Sequence, residues 1–324
     1  MRVLVLDGGG SKGYFTLEIL RQIEICCGKP IRECFDLVVG TSVGGLIAAS
    51  IVAGKEVKDM QDQWLSIAAL LDKAYPGLKS YVSRLVWGHV LDADIWESKL
   101  TEHFGQLRLA DLPESPRLLM IATDATAVVP HPFLIRSRPL PESVAGRSRF
   151  ETSSNMRLAN AVRATTAAPT VYPAHVEGET PLVDGGILAC NPVLFALAEA
   201  NLLGSLDCIV SVGCGSETRD PSPTPHRGVL AWTWATIRRS MDPDTPELLA
   251  EGILPSSQYF RLNTPMAGDV SCWEANPEVL NAWRSKVQDY LYESRDILAE
   301  LVPRLTREIP PAQDNEDGSV SNAS

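Results

Sequence analysis

Apolar residues along this chain come in short runs separated by stretches of helical spacing. Arg2–Leu6 and Phe35–Val39 are compact apolar runs too short for helices, and both read as buried strands. Tyr14–Cys27, Val43–Ala53 and Val57–Leu71 place apolar residues three and four apart, the helical period. Arg117–Ala122, Phe133–Ile135, Cys208–Val212 and Gln258–Leu262 are predicted as further strands. Arg157–Ala167 is predicted as a helix stopped by Pro169, and Pro192–Leu203 as one opened by Asn191 and Pro192. Gly228–Ser240 and a long terminal segment, Pro277–Leu301, complete the predicted helices; Leu140–Phe150 and Pro221–Pro225 read as loops. Strands separated by helices imply an α/β fold whose mostly parallel sheet is covered on both faces. One domain over residues 1–308 is expected, followed by a polar, disordered tail over 309–324.

Composition narrows the picture. Hydrophobic residues make up 45% and charged residues 21% of the 324, an ordinary balance for a globular enzyme. Twenty-nine basic against 40 acidic residues leave a net charge of −11, which argues against a nucleic-acid polymer as partner. No run approaches the ~20 apolar residues that span a bilayer, and the N-terminus runs from a strand into Asp7 without a cleavage site. The seven cysteines form no C-x-x-C pair, so free thiols, no metal and a cytoplasmic setting are expected.

The chemistry concentrates where the second strand stops. Gly40-Thr41-Ser42-Val43-Gly44 is a G-x-S-x-G between a predicted strand and a predicted helix, the context of a nucleophile elbow. The glycines relieve crowding at the turn, and Ser42 lies at a helix N-terminus whose partial positive charge favours an oxyanion. A second glycine loop, Asp7-Gly8-Gly9-Gly10-Ser11-Lys12-Gly13, follows the first strand. Gly8, Gly10 and Gly13 have dinucleotide-binding spacing, but the second strand ends in Gly40-Thr41-Ser42 where that fold needs an acid. A phosphate-binding Walker loop would need Ser or Thr after Lys12, and Gly13 stands there. In a parallel sheet the two loops share one rim, so the backbone N–H groups of Gly8, Gly9 and Gly10 would point at an oxyanion formed over Ser42.

A serine nucleophile needs a base. Of His89, His103, His131, His175 and His226, only His226 follows the best acidic candidate, and it sits between prolines and an arginine. A Ser–His–Asp triad through His226 is therefore the alternative to direct use of Asp184, in Thr180-Pro181-Leu182-Val183-Asp184-Gly185-Gly186. The blocks Asp-Gly-Gly-Gly-x-Lys-Gly, Gly-x-Ser-x-Gly and Asp-Gly-Gly, in this order, resemble those of the patatin-like phospholipases. The Ala164–Pro173 segment and the continuation Ile187–Pro192 agree, so the likeness covers roughly residues 3–195; Gln258–Leu262 is a weaker echo.

That resemblance implies a three-layer α/β/α sandwich and lipid acyl hydrolysis by a Ser–Asp dyad without histidine or metal cofactor. Ser42 would be the nucleophile, Asp184 the base, and Gly8–Gly10 the oxyanion hole. Lys12 stands where many members carry Arg, and is a candidate phosphate contact. Phospholipid substrate and transient contact with a membrane surface follow. A small nucleotide activator is also implied, because compact bacterial members include effectors switched on by a cyclic nucleotide in antiviral defence. Two more features are candidates for ligand contact: Arg136, Arg138, Arg147 and Arg149 around a loop, for an anion, and Leu230, Trp232, Trp234 and Ile237 with Arg238-Arg239, for a membrane.

Overall fold

The computed structural model describes residues 1–72, 93–126, 129, 131–145, 155–169, 171–217, 243–266, 274 and 276–307. Its main sheet has eight strands: β1 (Arg2–Leu6), β2 (Leu37–Thr41), β3 (Arg117–Asp124), β4 (His131–Arg136), β5 (His175–Glu177), β6 (Thr180–Asp184), β7 (Cys208–Val212) and β9 (Tyr259–Leu262). The order is β5-β6-β3-β2-β1-β7-β9, with β4 also paired to β3. The centre, from β3 to β9, is parallel throughout; β4 and β6 run antiparallel to β3. Two short strands, β8 (Ser216–Glu217) and β10 (Pro265–Met266), pair separately.

The described helices are α1 (Gly13–Cys27), α2 (Val43–Val52), α3 (Val57–Asp72), α4 (Ala93–Phe104), α5 (Leu158–Thr165), α6 (Gly186–Ala189), α7 (Val193–Leu203), α8 (Asp244–Ile253), α9 (Pro277–Glu293) and α10 (Arg295–Thr306), besides one short turn at Glu142–Ala145. They divide between the two faces of the sheet. Leu4, Leu6, Val38, Met120 and Val210 pack with α1, α2, α5 and the terminal helices. Val3, Val5, Val39, Ile121 and Ile209 pack with α7 and with Ala250 of α8. Successive residues of one strand thus enter two different cores, and central strands buried on both faces read as unbroken apolar runs. The result is the expected three-layer α/β/α sandwich.

Several boundaries differ from expectation. The second strand starts at Leu37, because Asp36 is spent on tying down β1: its carboxylate accepts the Arg2 N–H at 2.6 Å. It runs on to Thr41, paired with Ile121, so no residue separates strand from Ser42. The single terminal helix expected over Pro277–Leu301 is two helices, broken at Ser294 (φ −90°, ψ 15°). The break lets α9 stack Trp283 on Phe15 at 4.8 Å, while the carbonyl of Leu305 on α10 accepts from the Arg2 guanidinium at 2.7 Å. Helices α4 and α8 lie where no element was expected. The predicted helix Gly228–Ser240, His226, Trp232, Trp234, Arg147, Arg149 and the tail from 309 lie outside the described residues.

Candidate active site

Ser42 alone makes the turn between β2 and α2, with φ 56° and ψ −125°. It is the only non-glycine residue with positive φ among the described residues, and such strain costs of order 1–3 kcal/mol unless the surroundings impose it. Here they do. The Ser42 N–H donates to Thr165 Oγ1 at 2.9 Å, and Thr165 in turn donates to the Ile121 carbonyl on β3. The Ser42 carbonyl accepts from the Leu46 N–H at 3.0 Å, closing the first turn of α2. A Cβ on Gly44 would lie 2.3 Å from the Leu6 carbonyl oxygen, and one on Gly40 would lie 2.3 Å from that of Gly44. These two glycines let β1, β2 and α2 converge on the turn.

Asp184 ends β6, paired with Ala122 of β3. An antiparallel strand therefore returns it to the rim where the parallel strands end. The side chain is buried, and Ser42 Oγ donates to its Oδ2 at 2.7 Å. The Gly186 N–H donates to Oδ1 at 2.7 Å, which sets the plane of the carboxylate. Gly185 has no room for a side chain, since its Cβ would meet the Ile121 carbonyl oxygen at 2.1 Å. Burial raises the Asp184 pKa to about 6, against the pull of the Ser42 and Gly186 hydrogen bonds. Both donors are uncharged, so the carboxylate keeps a high proton affinity.

The glycine loop lies over this pair. A Cβ on Gly8 would sit 3.3 Å from Ser42 Cβ. The expected set of three oxyanion donors needs correction, however: the Gly8 N–H already donates to the Cys190 carbonyl at 2.8 Å. The N–H groups of Gly9 and Gly10 have no hydrogen-bond partner among the described residues, and Gly10 takes φ 60°. Two thiols hold the loop from either side, Cys214 Sγ donating to the Asp7 carbonyl at 3.2 Å and Cys190 Sγ to that of Gly8 at 3.4 Å.

Asp7 itself is clamped by Arg261 of β9, at 2.6 and 3.1 Å. Arg261 also donates to Glu247 and Ser211, both at 2.8 Å. Lys12 is 9% exposed, and its charge acts on Asp7 and Cys190, so it is no solvated loop lysine.

Other expectations fare differently. Arg136 is no loop residue: it ends β4 and pairs with Glu199 at 2.8 and 2.9 Å inside the protein. Arg138 donates to the Ala110 and Leu112 carbonyls and pairs with Glu114. The candidate anion loop thus loses two of its four arginines to structural pairing. His103 bonds Ser50 and His175 bonds Glu177, while His131 opens β4; no described histidine bonds Ser42 or Asp184. Thr165, Cys190, Cys214 and Arg261 were not singled out. Thr165 and Cys190 lie within the blocks Ala164–Pro173 and Ile187–Pro192, and Arg261 within the short block around residue 260; Cys214 alone of the four had no signal in the sequence.

Known proteins share this chain's sequence pattern. The family model of patatin-like phospholipases matches residues 4–197. Calcium-independent phospholipase A2-gamma of Oryctolagus cuniculus is 24% identical over 318 residues, covering 95% of this chain and 40% of its own. The chain thus spans well under half the length of that relative. A cUMP-AMP-activated phospholipase of Escherichia coli is 31% identical over 252 residues, 73% of this chain and 71% of its own. Among solved structures, VipD from Legionella pneumophila aligns over 93% of this chain and 66% of its own, with TM-score 0.45 and 14% identity.

Proposed function

We propose, taking as premise that the chain belongs to the patatin-like phospholipase family, that it cleaves carboxylic esters of membrane phospholipids through an acyl-serine intermediate on Ser42. The observation that carries this reading is the 2.7 Å hydrogen bond from Ser42 Oγ to a buried carboxylate that only neutral groups contact. Ser42 Oγ attacks the ester carbonyl as its proton passes to Asp184 Oδ2. The carbonyl oxygen, now negative, accepts from the N–H groups of Gly9 and Gly10. Collapse of the intermediate expels the lysophospholipid alcohol, which takes the proton from Asp184. Water then attacks the acyl-serine with Asp184 again as base, and a fatty acid leaves. Each oxyanion donor is typically worth a factor of ~10²–10³, and a positioned base about 10²–10⁴.

Labelling with a fluorophosphonate, read beside release of fatty acid from phosphatidylcholine vesicles, tests this reading. Wild type should label and hydrolyse, and Ser42→Ala should do neither while unfolding at the same temperature. Hydrolysis by Ser42→Ala at the wild-type rate would refute it. The similarity to the Escherichia coli relative favours a further element, control by a cyclic dinucleotide. The same vesicle assay with and without such a nucleotide tests it, an unchanged rate counting against it.

A further inference from the structure

Between α2, α3 and α4 lies a cavity of about 360 Å³, at the lower end of the ~300–1,000 Å³ usual for small-molecule sites. Leu46, Met60, Trp64, Trp96 and Leu100 wall it and are buried. Its other end opens between exposed Lys55, Lys99 and Glu102, with His103 behind them. Lys99 and Glu102 neutralise each other at 2.7 Å. Lys55 has no ion-pair partner among the described residues, and its charge, after burial, is the second cause that keeps the His103 pKa below its ordinary value. An apolar chamber with one uncompensated cation at its mouth is the complement of an alkyl chain carrying a single anionic head.

Polarity decides the orientation of such a guest. Ser50, beside His103, stands eight residues along α2 from Ser42, about 12 Å at the helical rise. A head near Lys55 is therefore remote from the nucleophile. A chain still esterified to Ser42 would have its head at the opposite end, so the guest is a free acid and not the chain being cut. A nucleotide is a poorer match, because neither of the two indoles that line the cavity offers an open face to a base. Trp96 stacks on Tyr172, and Trp64 is 1% exposed with its indole N–H on the Ser11 carbonyl. Both indoles reach the candidate active site: Trp64 through Ser11 of the glycine loop, and Trp96 through Thr166, the neighbour of the Thr165 that holds Ser42.

We propose that this cavity binds a free fatty carboxylate, its alkyl chain against Leu46, Met60 and Leu100 and its head at Lys55. The choice of a carboxylate rests on the hydrolysis proposed above, whose product it is. Calorimetric titration of the Ser42→Ala protein with octanoate, decanoate and dodecanoate, below their micelle concentrations, tests it without turnover. One site is expected, tightening about fourfold per added methylene until the cavity is full and then no further. Lys55→Glu should weaken decanoate about tenfold and leave decanol, the uncharged analogue, unchanged. Affinity that keeps rising with chain length, or that ignores Lys55→Glu, would mean surface adsorption and overturn the site. So would Lys55-dependent binding of a cyclic dinucleotide with none of decanoate. An inactive wild type that still binds decanoate in this way would remove the proposed reaction and keep the site; an active one that binds none would do the reverse.

Discussion

Two buried carboxylates stand on this rim, Asp7 and Asp184, each 2% exposed. Asp7 faces a guanidinium in bidentate geometry, which itself leans on Glu247 and Ser211. Asp184 meets only a hydroxyl and a backbone N–H. Burial pushes both carboxyls up, and at Asp7 the Arg261 charge pulls back, whereas at Asp184 only hydrogen bonds from neutral groups do. The same side chain thus serves as a fixed strut in one place and as a group able to take a proton in the other. Partner charge, more than burial, separates the two roles.

Asp184→Asn should break the comparison most deeply. It keeps the shape and removes the base, so kcat should fall by about 10³ or more, measured on a soluble ester, with folding retained. Arg261→Met attacks the other carboxylate. It strands Asp7 without its cation, and chemical unfolding at neutral pH should show a loss of about 3–5 kcal/mol. An Arg261→Met protein as stable as wild type would mean that the clamp is idle.

The pH dependence should sharpen the contrast. The acylation rate should rise tenfold per pH unit up to about 6, where Asp184 ionises, and level above it. Stability linked to Asp184 has the opposite sense. Its folded pKa lies above the ordinary carboxylate value of 3.8, so this contribution is full below about 3.8 and is lost as pH rises through about 6. The difference is about 3 kcal/mol at 1.36 per unit, and Asp184→Asn should flatten that part of the unfolding profile. The smallest effect concerns Ser42. Ser42→Gly relieves the positive φ and should stabilise the fold by up to about 1 kcal/mol, while Ser42→Ala should not. Thermal unfolding of the two variants side by side distinguishes these outcomes.

Much of this is legible in the amino-acid sequence. The strands at Arg2–Leu6 and Cys208–Val212 have the predicted bounds, and α1 and α2 differ by one residue. Apolar runs and helical spacing record burial directly, and burial is what forms those elements. The elbow around Ser42 and the Asp184 turn were visible because close backbone approach demands glycine, and glycine leaves a mark in the sequence. The break at Ser294 left none, since the apolar stripe keeps phase from Leu291 to Leu298 across it. Arg136 misled for a related reason: the acid that neutralises it is 63 residues away.

The chain by itself determined its layers, its family likeness and the residue types at the rim. These follow from local spacing and from steric limits acting within a few residues. Tertiary structure alone decided which groups meet. It set Ser42 on Asp184 across 142 residues and Asp7 on Arg261 across 254, and it withdrew the Gly8 N–H from the oxyanion set by bonding it to Cys190. Hydrogen bonds and charge pairing act over a few ångströms of space and carry no period along the chain, so only the folded backbone reveals their partners.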